Sequence, residues 1–142
     1  MNSEIIKIFD LIDWSNSYEN QKNGIELAKK LNNITPFFQP TLKKYSKNVW
    51  DNCAVIISDR SDDELQKYLS LMFEWLKDLN WPGAFEIFER LKKIPYVLYK
   101  NELYDSIQEA LKQNNYSWLK NLCELLDDSK LKKFYFDLIN NS

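Results

Sequence analysis

One stretch constrains the fold more than any other. From Leu65 to Leu79 an apolar helical pattern runs without interruption. It meets Asn80-Trp81-Pro82-Gly83-Ala84 and passes straight into a second helical pattern ending near Leu91. Leu65, Tyr68, Leu69, Met72, Leu76 and Leu79 recur at i, i+3, i+4, i+7, while Leu71, Phe73 and Trp75 add apolar surface on other faces. A helix apolar around so much of its circumference packs on two sides, so it belongs at the centre of a helical protein. Aromatic residues read as helix openers recur at Trp14, Trp50, Trp81 and Tyr116, with gaps of 36, 31 and 35 residues. That spacing is the period of stacked helical hairpins.

The flanking sequence reads the same way. Glu4 to Ile12 and Tyr18 to Leu31 are amphipathic helices separated by the polar break Ser15-Asn16-Ser17. Pro36 and Pro40 bracket Phe37-Phe38 in an irregular connection, and Ser46 caps a helix carrying Val49, Trp50, Cys53, Ala54, Ile56 and Ile57. Ser61-Asp62-Asp63-Glu64 is a capping box. Asn80 is expected to cap the helix after Trp81, with Pro82 in its first turn and Gly83 allowing a close approach. That helix stops before Pro95, and Tyr96 to Lys100 reads as a connection before a helix capped by Asn101. Helices at Tyr116 to Leu126 and Ser129 to Ile139 complete the chain.

Sliding the sequence by 35 residues sets Trp81, Ile87, Phe88 and Leu91 over Tyr116, Leu122, Cys123 and Leu126. Sliding by 31 sets Trp50 and Ile56 under Trp81 and Ile87; sliding by 60 sets Leu27, Leu31 and Ile34 under Ile87, Leu91 and Ile94. The expected fold is all-α: a short right-handed α-α superhelix of HEAT or armadillo-like helix pairs, about eight or nine helices, with residues 1–142 as a single helical-repeat domain. An irregular bundle without true repeats is the competing reading.

Composition narrows the function. The 142 residues contain no histidine, which removes the usual general base, the commonest metal ligand and every Ser/His or Cys/His nucleophile. A net charge of −2 argues against a general nucleic-acid binder, since the paired lysines Lys29-Lys30, Lys43-Lys44, Lys92-Lys93 and Lys132-Lys133 are scattered. Cys53 and Cys123 stand far apart in apolar helical patterns and read as two buried thiols. The opening Met1-Asn2-Ser3-Glu4 lacks a signal-peptide pattern and no apolar run reaches a membrane span, so a cytoplasmic protein with no membrane partner is expected. Lysine replaces arginine everywhere except Arg60 and Arg90, a bias that fits an AT-rich bacterial genome.

The segment Glu74-Trp75-Leu76-Lys77-Asp78-Leu79-Asn80-Trp81-Pro82-Gly83-Ala84 resembles the signature of a bacterial family catalogued as domain of unknown function 5071. That signature is a Trp-Leu-(Gln/Lys)-Asp-x-Asn-Trp-Pro-x-Ala segment joining two helices. The likeness is specific over Tyr68 to Leu91 and vaguer from Val49 to Leu126, and the Pro-Lys-Asp-Lys-like opening of the family is missing. The resemblance implies a small HEAT-like helical repeat domain and brings no activity or catalytic residue with it.

Trp75, Asp78, Asn80, Trp81 and Pro82 are the candidate partner-binding residues: tryptophans as anchors, Asp78 or Asn80 as directional groups. The same five residues also read as structure, with Asn80 a cap and Trp81 a seal between repeats. Asp59, Asp62, Asp63 and Glu64 are spaced as a cap and lack the glycine of a calcium loop, and Asp127-Asp128 reads likewise. Asp10 and Asp13 lie at i, i+3, the spacing of a carboxylate pair, and without histidine or a second acidic constellation they are expected to be solvated. Phe37, Phe38, Tyr96 and Tyr99 read as connection aromatics that plug the ends of the stack. No catalytic residue, cofactor site or metal site is assigned. The expected function is a non-enzymatic protein–protein interaction module, in one form a toxin-neutralising, immunity-type protein. The alternatives are a carboxylate-dependent enzyme acting on a nucleobase or sugar, and a nucleic-acid-binding helical repeat.

Overall fold

A computed structural model of the chain describes residues 2–140. Among them there is no strand; the protein is all-α. Helix α1 is Ser3–Ile12, α2 Tyr18–Ala28 and α3 Gln39–Leu42, the last preceded by a 3-10 turn at Thr35–Phe37. A second 3-10 turn, Lys47–Val49, leads into α4 at Trp50–Ser58. Next come α5 at Asp62–Leu65, a 3-10 turn at Gln66–Tyr68, and α6 at Leu69–Trp75. The chain closes with α7 at Ala84–Lys92, α8 at Tyr96–Lys112, α9 at Tyr116–Cys123 and α10 at Asp128–Asn140. Helix α1 packs on α2, α2 on α4, and α4 on α7; α6 packs on α3, α7 and α8, and α8 on α9.

Local signals set most of the starts. Asn2, Ser17, Ser46 and Asn115 each accept an amide hydrogen from the first turn that follows. The capping box is complete: Ser61 Oγ accepts from the Glu64 amide, and the Glu64 carboxylate accepts from the Ser61 amide. The two prolines near Phe37-Phe38 each open a short helical turn, and both phenylalanines are buried. Phe37 stacks on Phe9 at 5.3 Å between ring centres, and Phe38 on Tyr68 at 5.2 Å.

The long central helix is the main correction. The stretch from Leu65 to Leu79 is broken at Gln66–Tyr68, and α6 ends at Trp75. Two donors from α9 meet its end. The Trp118 indole N–H donates to the Phe73 carbonyl at 2.9 Å, and the Asn121 amide to the Leu76 carbonyl at 2.8 Å. With these carbonyls answered from outside, the chain leaves the helix although its apolar pattern continues. Residues 76 to 83 then form a reverse turn, so α7 begins at Ala84.

A second correction concerns Tyr96 to Lys100, which is the opening of the 17-residue α8. Pro95 stands at the helix start, and its carbonyl accepts from the Leu98 amide. Tyr96 and Tyr99 are therefore buried helical residues, not aromatics of a connection. The aromatic landmarks also differ from expectation. Trp50 and Tyr116 do open helices, whereas Trp14 and Trp81 lie in turns, and Trp14 is half exposed. Of the superimposed positions, Ile56, Ile87, Leu91, Leu122 and Leu126 are all buried. Cys53 is buried as expected, but Cys123 sits at the surface, and both thiols are free.

A longer-range regularity ties the helices together. The carbonyl at the end of each of five helices accepts a side-chain donor from a residue further along the chain. Asn52 serves Ile12 on α1 at 2.8 Å, and Arg60 serves Ala28 on α2 at 2.8 Å. Arg90 serves Ser58 at 3.0 Å and Arg60 at 2.8 Å, at the end of α4. Trp118 and Asn121 serve α6, and Lys130 serves Lys92 on α7 at 3.3 Å. Both arginines of the chain are used this way. A guanidinium offers several donors in one plane and carries the positive charge that a helix C-terminus favours.

Candidate functional site

The reverse turn between α6 and α7 gathers the tryptophans. Trp50 meets Trp75 edge-to-face at 6.3 Å and Trp81 at 5.7 Å between ring centres. The Trp75 indole N–H donates to the Pro82 carbonyl at 3.1 Å, closing the turn across its base. Gly83 makes that closure possible. Its φ is +84°, and a Cβ there would lie 2.8 Å from Ala54 Cβ, 2.8 Å from the Trp50 carbonyl oxygen and 3.0 Å from the Trp75 ring. Only glycine tolerates both the left-handed backbone and that approach.

The five predicted residues therefore share one structure but not one role. Trp75 has no exposed surface, so it presents nothing to a partner. Asn80 does not cap α7; its own amide donates to Asp78 Oδ1 at 2.8 Å, which stiffens the turn three residues before Gly83. Pro82 belongs to the turn, not to the first turn of α7. Asp78, Trp81 and Pro82 are half-buried and Asn80 is exposed, so these four form the outer edge of the turn. Beside them, Lys77 lies 3.2 Å from Glu74 and 4.6 Å from the centre of the Trp118 ring.

Four of the acids singled out in the sequence, Asp13, Asp62, Glu64 and Asp127, serve structural contacts. Asp13 accepts from the Ser15 amide at 2.8 Å; that hydrogen bond, helped by the Ser15 hydroxyl, holds its carboxyl below the usual range. Asp62 pairs with Arg90 at 2.7 Å. Glu64 is held low by Arg60 at 3.1 Å and by the Ser61 amide. Asp127 accepts from the Lys130 amide as a cap. Among the described residues no group of three His, Cys, Asp or Glu side chains is placed to hold a metal ion.

A second feature was hidden in the sequence. Tyr96 on α8 donates its hydroxyl to Asp137 Oδ2 on α10 at 2.9 Å, and Lys100 lies 3.7 Å from the same oxygen. Burial first, and the Asp137 carboxylate second, push the Tyr96 phenol well above its ordinary range. This bridge separates two clefts between α8 and α10. One, of about 340 Å³, is lined by Asn101, Tyr104, Asp105, Phe134 and Leu138; the other, of about 500 Å³, by Pro95, Val97, Lys132, Lys133 and Phe136. The partners lie 41 residues apart, and Tyr96 reads locally as a connection, so no pattern in the sequence joins them.

The family model described as domain of unknown function (DUF5071) matches residues 45–137. No curated protein and no solved structure matches the chain. The matched span covers α4 to most of α10, including the tryptophan turn and every residue of the two clefts but Leu138, and leaves α1 to α3 outside. The chain belongs to the family of domain of unknown function 5071.

Proposed function

We propose that this family member is a non-enzymatic, bacterial, cytoplasmic protein-interaction module. Its helices act as a stack of HEAT-like pairs, and the turn from Asp78 to Pro82 contacts a partner protein. The observation that carries the reading is the way the turn is held. Trp75 ties its base, Trp118 and Asn121 tie its entry, and Gly83 presses its exit against α4. A turn braced from three sides offers Asn80 and the edge of Trp81 in one conformation, so little ordering entropy opposes association. The recurrent use of a later side chain to cap an earlier helix, 30 to 45 residues on, supports stacked hairpins as the scaffold.

A toxin-neutralising role is one form of this reading, in which the partner is encoded beside the module. Affinity purification from the native host tests it. The expected result is one stoichiometric partner retained by the wild type, weakened by Asn80→Ala, which keeps the Asp78 tie and the melting temperature, and lost with Asp78→Ala/Asn80→Ala. Recovery of no partner, or equal recovery by the double variant, would overturn it.

A further inference from the structure

We propose that the groove between the start of α8 and α10 docks an acidic, apolar-anchored segment of a partner protein. The groove stands at the far end of α7 from the tryptophan turn, roughly 13 Å of helix rise away. It is therefore a second surface. It rests on the protein-binding reading above only in taking its occupant to be a polypeptide.

Its apolar lining is open to solvent. Val97 and Phe136 form it together with Pro95, and each is 67% exposed although both are large hydrophobic side chains. Exposed aromatic and aliphatic groups facing one concavity are the usual anchors of a recognition site. Its walls are cationic. Lys132 and Lys133 are exposed, and neither has an anionic partner among the described residues. Lys100 and Asp137 also line the groove and face each other at 3.7 Å; the Tyr96 hydroxyl gives Asp137 a further donor. The one acid in the lining is thus already met, and two lysines remain unanswered. In a chain of net charge −2, that local excess of positive charge selects for carboxylates on the incoming segment. Charge decides between a peptide and a membrane. Two unanswered lysines in a chain of net charge −2 fall short of the cluster of about four to eight basic residues that an anionic bilayer attracts, and they suffice for an acidic segment.

The segment takes a definite form: two or more acidic residues flanking an aromatic or branched aliphatic side chain. The anchor sits over Val97 and Phe136, and the carboxylates lie against Lys132 and Lys133. Selection of the full chain against a displayed library of random dodecapeptides tests it. The enriched peptides are expected to be acidic with an apolar residue between the acids. Lys132→Glu/Lys133→Glu is expected to weaken the best of them by at least about tenfold, and Val97→Ser/Phe136→Ser similarly. Lys22→Glu/Lys30→Glu, with the same change in net charge at exposed positions on and just beyond α2, should leave binding unchanged. All of these lysines are exposed, so melting curves of the variants should match the wild type.

Enrichment of basic or neutral peptides, no enrichment, or equal loss with the α2 lysine pair would overturn the proposal. So would binding to phosphatidylserine vesicles that Lys132→Glu/Lys133→Glu abolishes while peptide binding persists. Asp78→Ala/Asn80→Ala must not affect peptide binding. Loss of the host partner in that variant speaks to the turn, and loss of peptide in the lysine variant speaks to the groove, so each reading can fail alone.

Discussion

At the turn between α6 and α7, three tryptophans and a glycine meet with no room for a methyl group. Between α8 and α10, aromatic side chains of similar size stand around open clefts. Composition does not separate the two regions. At the turn, donors from α9 fix the carbonyls of α6, and the backbone at Gly83 closes on Trp50 and Ala54. At the α8–α10 edge the polar ties are the Tyr96–Asp137 bridge with Lys100, and Phe134 is the one buried residue among those described in α10. An aromatic residue becomes core where backbone groups are closed over it; where they are not, it lines a surface.

The comparison can be broken by substitution. Trp118→Ala should have the largest effect, about 3–5 kcal/mol in urea unfolding, because it empties a buried site and removes the α9 donor to the Phe73 carbonyl. A loss under about 1 kcal/mol would show that the turn is not held by α9. Gly83→Ala should cost about 2–3 kcal/mol, from the left-handed backbone and the contact with Ala54 and the Trp50 carbonyl. Arg90→Met keeps the side-chain stem but strands the end of α4. It should cost about 1–3 kcal/mol, read as a lower melting temperature.

The remaining predictions concern the C-terminal half. The Tyr99 hydroxyl is buried without a hydrogen-bond partner, and burial pushes its phenol up to about 12. A raised folded-state value means that its contribution to stability is present below about pH 10 and is lost as pH climbs from there towards 12. Tyr99→Phe should leave stability at neutral pH unchanged or slightly higher and make the alkaline decline shallower; thermal melts from pH 8 to 12 check both. Phe136→Ser should change stability by less than about 0.5 kcal/mol, since that side chain is already in water. A large loss there would make the groove lining part of the core.

Several helix boundaries were legible, because capping and proline stops are local. The Ser61–Glu64 box, Ser46 and the stop before Pro95 stand in the structure as their spacing implies. The end of α6 was not. The apolar stripe from Leu65 to Leu79 carries no mark of the break after Trp75, since the competing donors Trp118 and Asn121 come from 45 residues away. Asn80 has the chemistry of a cap but yields to Gly83, whose positive φ sets the start of α7. Asn101 likewise drew the start of α8 away from Pro95, which hid Tyr96 and with it the bridge to Asp137. Of the candidate residues, the outer edge of the turn was readable. The burial of Trp75 was not, because a helix apolar on several faces does not say which face closes first.

Residue-resolved native-state amide hydrogen exchange is the most direct test of the contrast between the closed turn and the open edge. Amides of α4, α6 and α7 should exchange only through global unfolding, while those of α10 exchange through a local opening of lower free energy. Protection of α10 equal to that of α4, or exchange in α6 and α7 ahead of α10, would contradict it.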